Sequence, residues 1–248
     1  MLIDVHTHIW LSAIENNKKE LVQACRQFGI DRIYVSGLNA LIPDENEVQV
    51  LNGEVYKFMQ EQPQLIRGMC MVNPRHANAL DVLKNGIENY GMSGMKLWMS
   101  TFCDDPLVFP LVEQCIAYDV PILIHAFHKS VGQLPYETLG THVASLACRY
   151  PQARIIMAHL GGNCYNGIKP IRDCANVWVD FSGSIFRRDD LDYSLEMIGP
   201  ERLLLGSDMN GSFLVCYGQV LEAALTDAQR DLILYKNALK LFERKQQA

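Results

Sequence analysis

The chain has 248 residues, of which 49% are hydrophobic and 20% are charged, a composition typical of a globular protein rather than a disordered one. Its formal net charge is −6, and no basic run is longer than two residues. Nucleic acids and anionic membranes require a basic surface. We therefore expect neither of them as a partner.

The eight cysteines form no CxxC pair, and several lie in apolar segments where a free thiol behaves as a small hydrophobic group. No apolar run reaches the roughly 20 residues that cross a membrane, and no basic leader precedes the first apolar run. These features predict reduced thiols, no membrane partner and a cytoplasmic location.

Short β-branched runs alternate with longer amphipathic segments along the chain, which predicts strands and helices in turn. The predicted strands are 2–5, 32–36, 65–72, 94–98, 121–125, 154–159, 177–181 and 202–205. The predicted helices are 15–28, 46–60, 77–89, 106–118, 136–149, 168–174, 190–198, 213–224 and 227–242. Gly29 is expected to end the first helix, and Thr226 to cap the last.

Eight strand–helix units of about 31 residues each indicate a parallel sheet, and eight of them indicate a closed (β/α)8 TIM barrel. We expect one domain over residues 1–248. A doubly wound open sheet is the alternative. It is disfavoured because no glycine-rich phosphate loop follows the first strand.

Two histidines, His6 and His8, follow the first apolar run and would point to the same face of a strand. Imidazole is the commonest side-chain metal ligand. The catalytic residues of a TIM barrel lie at the C-terminal ends of its strands, where we also place His125, His159 and Asp208. These side chains together suit a divalent ion, most readily Zn²⁺, with Mn²⁺ also acceptable.

Several segments resemble the amidohydrolase superfamily, and specifically the amidohydrolase-related branch of metal-dependent barrels. They are IDVHTH (3–8), GMKLW (94–98), PILIH (121–125), AHLGG (158–162), LLLGSD (203–208) and the tail LTDAQRDLILYKNALKLF (225–242). The resemblance runs from one end of the chain to the other.

This resemblance implies a role for each matching residue. His6, His8 and His125 would be metal ligands. Asp208 would bind the metal or lie beside it, and would transfer the proton of the metal-bound water. His159 would be a ligand in a two-metal enzyme, or would polarise the substrate carbonyl in the one-metal form that this branch favours.

Lys96, in the fourth strand, has two interpretations. It could be a carbamate that bridges two metals, or an ammonium that binds substrate or pairs with an acidic neighbour, and we favour the ammonium. Trp98 and His128 are further candidates for substrate contact, although Trp98 could equally be a packing residue and His128 a loop residue. A basic residue after a strand end could bind a substrate carboxylate: Arg75, Lys129, Arg187 or Arg188.

We expect a metal-dependent hydrolase that cleaves an amide, lactone or ester bond of a small carboxylated molecule. A non-hydrolytic lyase, either a decarboxylase or a hydratase, could use the same metal site. A barrel without catalysis that serves as a binding module is the third possibility. Because the strand-to-helix loops are mostly short, we expect a partner subunit, as in a homodimer, to cover part of the barrel mouth.

Overall fold

The computed structural model describes residues 1–183, 186–187, 189–208 and 212–243, which form a barrel of parallel strands surrounded by helices. The strands, β1 to β8, are Ile3–Trp10, Arg32–Leu38, Ile66–Val72, Gly94–Leu97, Ile122–Ile124, Ile155–Met157, Val177–Asp180 and Leu203–Leu204. The helices, α1 to α10, are Ile14–Phe28, Glu45–Glu61, Ala79–Lys84, Phe109–Ala117, Gly140–Arg149, Cys164–Ile171, Asp190–Ile198, Phe213–Glu222, Asp227–Asp231 and Asn237–Phe242. None of the described helices is long and apolar enough to cross a lipid bilayer.

The strands follow one another around the barrel in chain order, from β1 to β8, and every neighbouring pair is parallel. Backbone hydrogen bonds join the last strand to the first. The N–H of Val5 donates to the carbonyl of Leu205 at 2.9 Å, and the N–H of Asp208 donates to the carbonyl of His6 at 2.6 Å. The predicted (β/α)8 barrel is therefore confirmed.

The first strand is longer than the sequence predicted, because it continues through both histidines to Trp10. It pairs with β2 on either side of one extra residue, with Asp4 opposite Ile33 and Thr7 opposite Val35. This bulge increases the local twist, and both imidazoles still project into the barrel mouth. Chain periodicity does not reveal such an insertion.

Two helices begin four residues away from their predicted starts. The helix predicted from residue 136 begins at Gly140, because the preceding residues form a turn in which Tyr136 has a φ of 59°. The helix predicted at 168–174 is Cys164–Ile171, whose start is fixed by the side chain of Asn163 accepting from the N–H of Asn166. The predicted ends at Gly29 and Thr226 are confirmed.

The centre of the barrel is filled by apolar side chains from alternate strand positions. They are Ile3, Val5, Tyr34, Met69, Leu123, Ile156, Ala158 and Leu204. Burial of each large aliphatic side chain stabilises the fold by about 1.5–3 kcal/mol. A larger apolar layer packs between the strands and the helices. The apolar filling ends below the C-terminal strand ends, where polar side chains replace it.

All eight cysteines are free thiols, as predicted, and all of them except Cys148 are buried. They pack within the apolar layer between barrel and helices, as Cys25, Cys70 and Cys115 do.

Candidate metal centre

Four of the predicted site residues meet at the C-terminal end of the barrel. The Nε2 atoms of His6 and His8 lie 3.0 Å apart. Oδ1 of Asp208 lies 3.1 Å from Nε2 of His8 and 3.6 Å from Nε2 of His6. Nζ of Lys96, which is fully buried, lies 2.9 Å from Nε2 of His6. Lys96 therefore lies among the candidate ligands.

The hydrogen bonds of both histidines assign their ring protons. Nδ1 of His6 lies 2.9 Å from Oδ2 of Asp180, a carboxylate that can only accept when ionised. Nδ1 of His8 faces the hydroxyl of Ser36 at 2.9 Å and its carbonyl at 3.4 Å. Both Nδ1 atoms are thus the donors, and both Nε2 atoms turn a lone pair toward Asp208.

This donor set fits a divalent cation. Two imidazole lone pairs and a carboxylate oxygen repel one another, and the Lys96 ammonium beside His6 offsets part of that repulsion. Ligand atoms about 2.0–2.2 Å from an ion, at the angles of tetrahedral or octahedral coordination, are separated by about 2.9–3.6 Å. The distances between His6, His8 and Asp208 fall in that range. Imidazole and carboxylate ligands suit Zn²⁺ and Mn²⁺.

The burial of the site keeps its histidines neutral. Burial, assisted by the charge of Lys96, lowers the pKa of His6 to about 3. Burial also lowers the pKa of His8 and brings the pKa of Lys96 to about 8. Neutral imidazole is the form that binds metals, so these histidines need lose no proton near neutral pH.

His125 and His159 form a second group beside the first, with the ring centroids of His159 and His6 5.0 Å apart. Nδ1 of His125 lies 3.2 Å from Nε2 of His159, and Nε2 of His125 lies 3.1 Å from Oε1 of Glu137. Glu137 is buried and accepts two 2.8 Å bonds from Nζ of Lys129 and another from Gln133. The carboxylate therefore holds the proton of His125 on Nε2 and turns the Nδ1 lone pair toward His159.

Asp180 connects the two groups of histidines. Its Oδ2 faces His6, and its Oδ1 accepts the N–H of His159 at 3.0 Å and the N–H of Ser182 at 3.1 Å. The hydroxyl of Ser182 donates to the same oxygen and lies 2.9 Å from Nδ1 of His159. Burial alone would raise the pKa of Asp180, but His6 and these hydrogen bonds hold it below its ordinary value. His6, His159 and Asp180 thus form a second set of possible metal ligands.

The backbone after β6 takes an unusual path. Four consecutive residues, His159 to Gly162, have positive φ angles of 61°, 50°, 71° and 76°. A Cβ on Gly161 would lie 2.6 Å from Cα of Gly167, and a Cβ on Gly162 would lie 2.6 Å from the backbone nitrogen of His128. The two glycines therefore permit both the turn and the close packing. The positive φ angles of the two non-glycine residues, His159 and Leu160, each cost about 1–3 kcal/mol of stability.

The buried carboxylate of Asp4 lies below the site and connects β1 with the segment that carries Asp208. Asp4 accepts the N–H of His6 at 3.1 Å, the N–H of Ser207 at 3.0 Å and the Ser207 hydroxyl at 2.6 Å. Burial raises the pKa of Asp4 to about 7. These bonds fix β1 against the segment that carries Asp208, which itself has a φ of 67°.

The remaining predicted contacts are only partly at the mouth. The ring of Trp98 meets His125 edge-on, with ring centroids 4.7 Å apart. Nε1 of Trp98 is buried and has no acceptor among the described residues. His128 is half-buried and its Nδ1 lies 3.5 Å from Nδ2 of Asn166, at the limit of a hydrogen bond. Nothing in the described structure bonds it to the site histidines.

The basic residues after strand ends are mostly engaged elsewhere. Nε of Arg75 donates to the carbonyl of Ser100, and its guanidinium packs on the ring of Tyr136. Lys129 binds Glu137 as described above. Arg187 is exposed. Arg188 lies outside the described residues.

A family model described as amidohydrolase matches residues 3–244 of the chain. Three solved structures share the fold. They are 2,6-dihydroxybenzoate decarboxylase from Rhizobium (16% identity, TM-score 0.75, covering 97% of this chain and 98% of that one), 5-carboxyvanillate decarboxylase from Novosphingobium aromaticivorans with manganese and 4-hydroxy-3-methoxy-5-nitrobenzoic acid (14%, 0.76, 98% and 96%) and 4-oxalomesaconate hydratase from Rhodopseudomonas palustris (16%, 0.72, 98% and 95%). No curated protein sequence matches the chain significantly. At these identities the three structures establish a common fold.

Proposed function

Because the chain belongs to the amidohydrolase family, we propose that it is a metal-dependent enzyme that cleaves an amide, lactone or ester bond of a small carboxylated molecule. One divalent ion, Zn²⁺ or Mn²⁺, would be held by His6, His8 and Asp208, with His125 as a further ligand. When bound, such an ion polarises a carbonyl and lowers the pKa of a coordinated water toward ~7. The cytoplasmic location, the homodimer and the single domain over 1–248 stay predictions.

The position of Asp208 carries this proposal. The side chains of His6 and His8 are 0% and 2% exposed, whereas that of Asp208 is 22% exposed. Its carboxylate therefore borders both the ligand nitrogens and the open mouth. Burial alone would raise the pKa of Asp208, but the neighbouring histidines hold it below its ordinary value. An ionised carboxylate placed there accepts a proton from the attacking water and returns it to the leaving group.

His159 is our candidate for the group that polarises a substrate carbonyl. Its Nδ1 is held by the hydroxyl of Ser182, its backbone N–H by Asp180, and its Nε2 is turned toward His125. These three partners are buried, and together they fix the orientation of the His159 ring. We assign to His159 the stabilisation of negative charge that develops on the carbonyl oxygen.

A lyase is the second candidate, and the lining of the mouth favours it. Trp98 and Phe127 flank His125, the indole N–H of Trp98 is unpaired among the described residues, and the Lys96 cation lies 5.9 Å from the Trp98 ring centroid. Aromatic surfaces with a buried cation suit an aromatic carboxylate. The two decarboxylases named above are named for acids of that kind.

Turnover in ¹⁸O-labelled water separates these functions. The protein, loaded with one equivalent of Zn²⁺ or Mn²⁺ and verified by plasma mass spectrometry, is given a panel of small carboxylated lactones, esters and amides, and a panel of hydroxybenzoates. A hydrolase places one ¹⁸O in the product acid for each bond cleaved. A decarboxylase releases CO₂ and leaves the aromatic product unlabelled, whereas a hydratase adds the label without cleavage.

Two variants make the result specific to the site. Asp208→Asn should bind metal more weakly and lose turnover by 10²-fold or more, within the range of about 10²–10⁴ for general acid–base groups. Asp173→Asn changes an exposed aspartate and should leave turnover unchanged. If the protein binds no metal even after supplementation and turns over neither panel, the enzymatic proposal fails and the binding-module interpretation replaces it.

A further inference from the structure

A cavity with a volume of about 470 Å³ lies at the opposite end of the barrel, where the strands begin. It is lined by Arg32, Tyr34, Arg67 and Ser93, together with residues at the end of α10. Arg32 is the first residue of β2, and Arg67 lies opposite Tyr34 in the pairing of β2 with β3. The candidate metal ligands are at the other ends of the strands, so this cavity is separate from the catalytic mouth.

Neither arginine of this cavity is neutralised. Within the described part of the chain, no carboxylate lies within 4.0 Å of the guanidinium of Arg32 or Arg67. Arg154, at the same end of the barrel, does have a carboxylate partner, because its Nη2 pairs with Asp119 at 2.9 Å, and its Nη1 donates to the carbonyl of Leu241. Among the described residues, Arg32 and Arg67 have no such partner, in a protein whose net charge is −6.

The two guanidinium groups also have unused donors. Nε of Arg32 is buried and has no acceptor among the described residues. Arg67 uses Nη1 to bind the carbonyls of Pro63 and Ile66, at 2.8 and 2.9 Å. Burial and the nearby charge of Arg32 lower the pKa of Arg67, so the two cations are close enough to repel each other. Partly buried like charges of this kind are stabilised by a bound anion.

We propose that this cavity binds a small organic molecule through its phosphate or carboxylate group, held between Arg32 and Arg67. The planar guanidinium forms paired hydrogen bonds with both kinds of oxyanion. The volume of the cavity is within the range of small-molecule sites, about 300–1,000 Å³. Tyr34 stacks on Phe242 with ring centroids 3.7 Å apart, which gives the organic part of the ligand an apolar wall.

The neighbouring acidic residue does not take the place of the ligand. Glu243 lies at the rim of the cavity and is exposed, and no described ion pair joins it to either arginine. The sequence that follows, RKQQA at 244–248, has no acidic side chain. Within the described part of the chain, no carboxylate therefore offsets the positive charge of the cavity.

Calorimetric titration of the metal-loaded protein tests the proposal, with inorganic phosphate, phenyl phosphate and benzoate as separate probes in a phosphate-free buffer. We expect at least one probe to bind with one molecule per chain in this cavity, which we call the floor site. Binding should be at least tenfold weaker in both Arg32→Gln and Arg67→Gln. Arg26→Gln, which removes an exposed arginine from α1, should bind as the unaltered protein does. Tighter binding of phenyl phosphate than benzoate identifies a phosphate ligand, and the reverse order a carboxylate.

The catalytic mouth is a second place where an anion could bind, and His6→Ala separates the two. Binding that persists in His6→Ala and is lost in the arginine variants supports the floor site. Binding that is lost in His6→Ala and persists in both arginine variants refutes it, and so does the absence of binding by all three probes. Thermal unfolding without added anion gives an independent check. Arg32→Gln should then unfold at the same or a higher temperature, because repulsion is relieved, whereas a structural arginine would lower it.

Discussion

Asp180→Asn should weaken metal binding although Asp180 has no place in the His6, His8 and Asp208 set. All partners of the Asp180 carboxylate are donors. Its Oδ1 takes bonds from the His159 and Ser182 backbones and the Ser182 hydroxyl, so an asparagine would keep its carbonyl oxygen there. The amide NH₂ would then face Nδ1 of His6, 2.9 Å away in the present arrangement.

That substitution changes the position of the proton on His6. Nδ1 would accept from the amide, and the ring proton would move to Nε2, the atom that faces His8 and Asp208. A protonated Nε2 cannot bind a metal. Loss of a carboxylate that orients a ligating histidine typically costs about 10–100-fold in metal affinity, or about 1.4–2.7 kcal/mol. We expect a loss in this range.

Competition with a chromophoric chelator gives the Zn²⁺ affinity, and ¹⁵N NMR of labelled histidine identifies the tautomer of His6. Asp173→Asn is the matched control. An affinity within twofold of the unaltered protein, with the His6 proton still on Nδ1, would refute the reasoning. A weaker affinity without a change of tautomer would show that the charge of Asp180, and not its acceptor geometry, supports the site.

Three further predictions concern stability and access. Gly162→Ala should destabilise the protein by at least about 1–3 kcal/mol, because the φ of Gly162 is 76° and the new Cβ has no space. Gly218 lies within α8, and a Cβ there would have no atom within 4 Å. Gly218→Ala should therefore stabilise the protein by up to about 1 kcal/mol. Urea unfolding measures both free energies, and a Gly218→Ala variant less stable than the unaltered protein would contradict this expectation. Chelation of the bound metal should lower the melting temperature, since a metal at 100 times its Kd stabilises by about 2.7 kcal/mol, or roughly 5–10 °C here; an unchanged melting temperature after verified metal loss would contradict this. Ellman's reagent at pH 9 should titrate one fast thiol, Cys148, and reach eight only in denaturant, because burial raises the pKa of Cys25 and Cys70 to about 12; more than one fast thiol would be the contrary result.

The sequence was most informative where one rule covered many positions. Strand and helix order followed from periodicity, and barrel closure followed from the count of units. The rule that polar residues at strand C-termini face the mouth brought His6, His8 and Asp208 together with Lys96. The roles of these residues stay a prediction, since only their placement is visible in the structure.

Other residues of the site were missed for identifiable reasons. Glu137 reaches His125 from a loop, and a loop carries no periodic pattern that would indicate its direction. Asp180 is the last residue of β7, where the rule about strand ends would have included it, but its place inside the predicted strand 177–181 does not indicate which way its side chain faces. Asp4 lies in an apolar run before the histidine pair, and its partner Ser207 is distant in the chain, so neither position signalled the contact.

The hydrogen bond between Asp4 and Ser207 joins residues 203 positions apart and lies directly below the candidate metal ligands. During translation, β1 is made well before β8, so it has no partner on one side and no complete set of candidate ligands until β8 has been made. At about 5–20 residues per second, this delay lasts about 10–40 s. For that time the nascent chain carries the candidate ligands His6 and His8 on an unpaired strand edge. Closure of the barrel and assembly of the candidate metal ligands are therefore a single event, and both wait for β8.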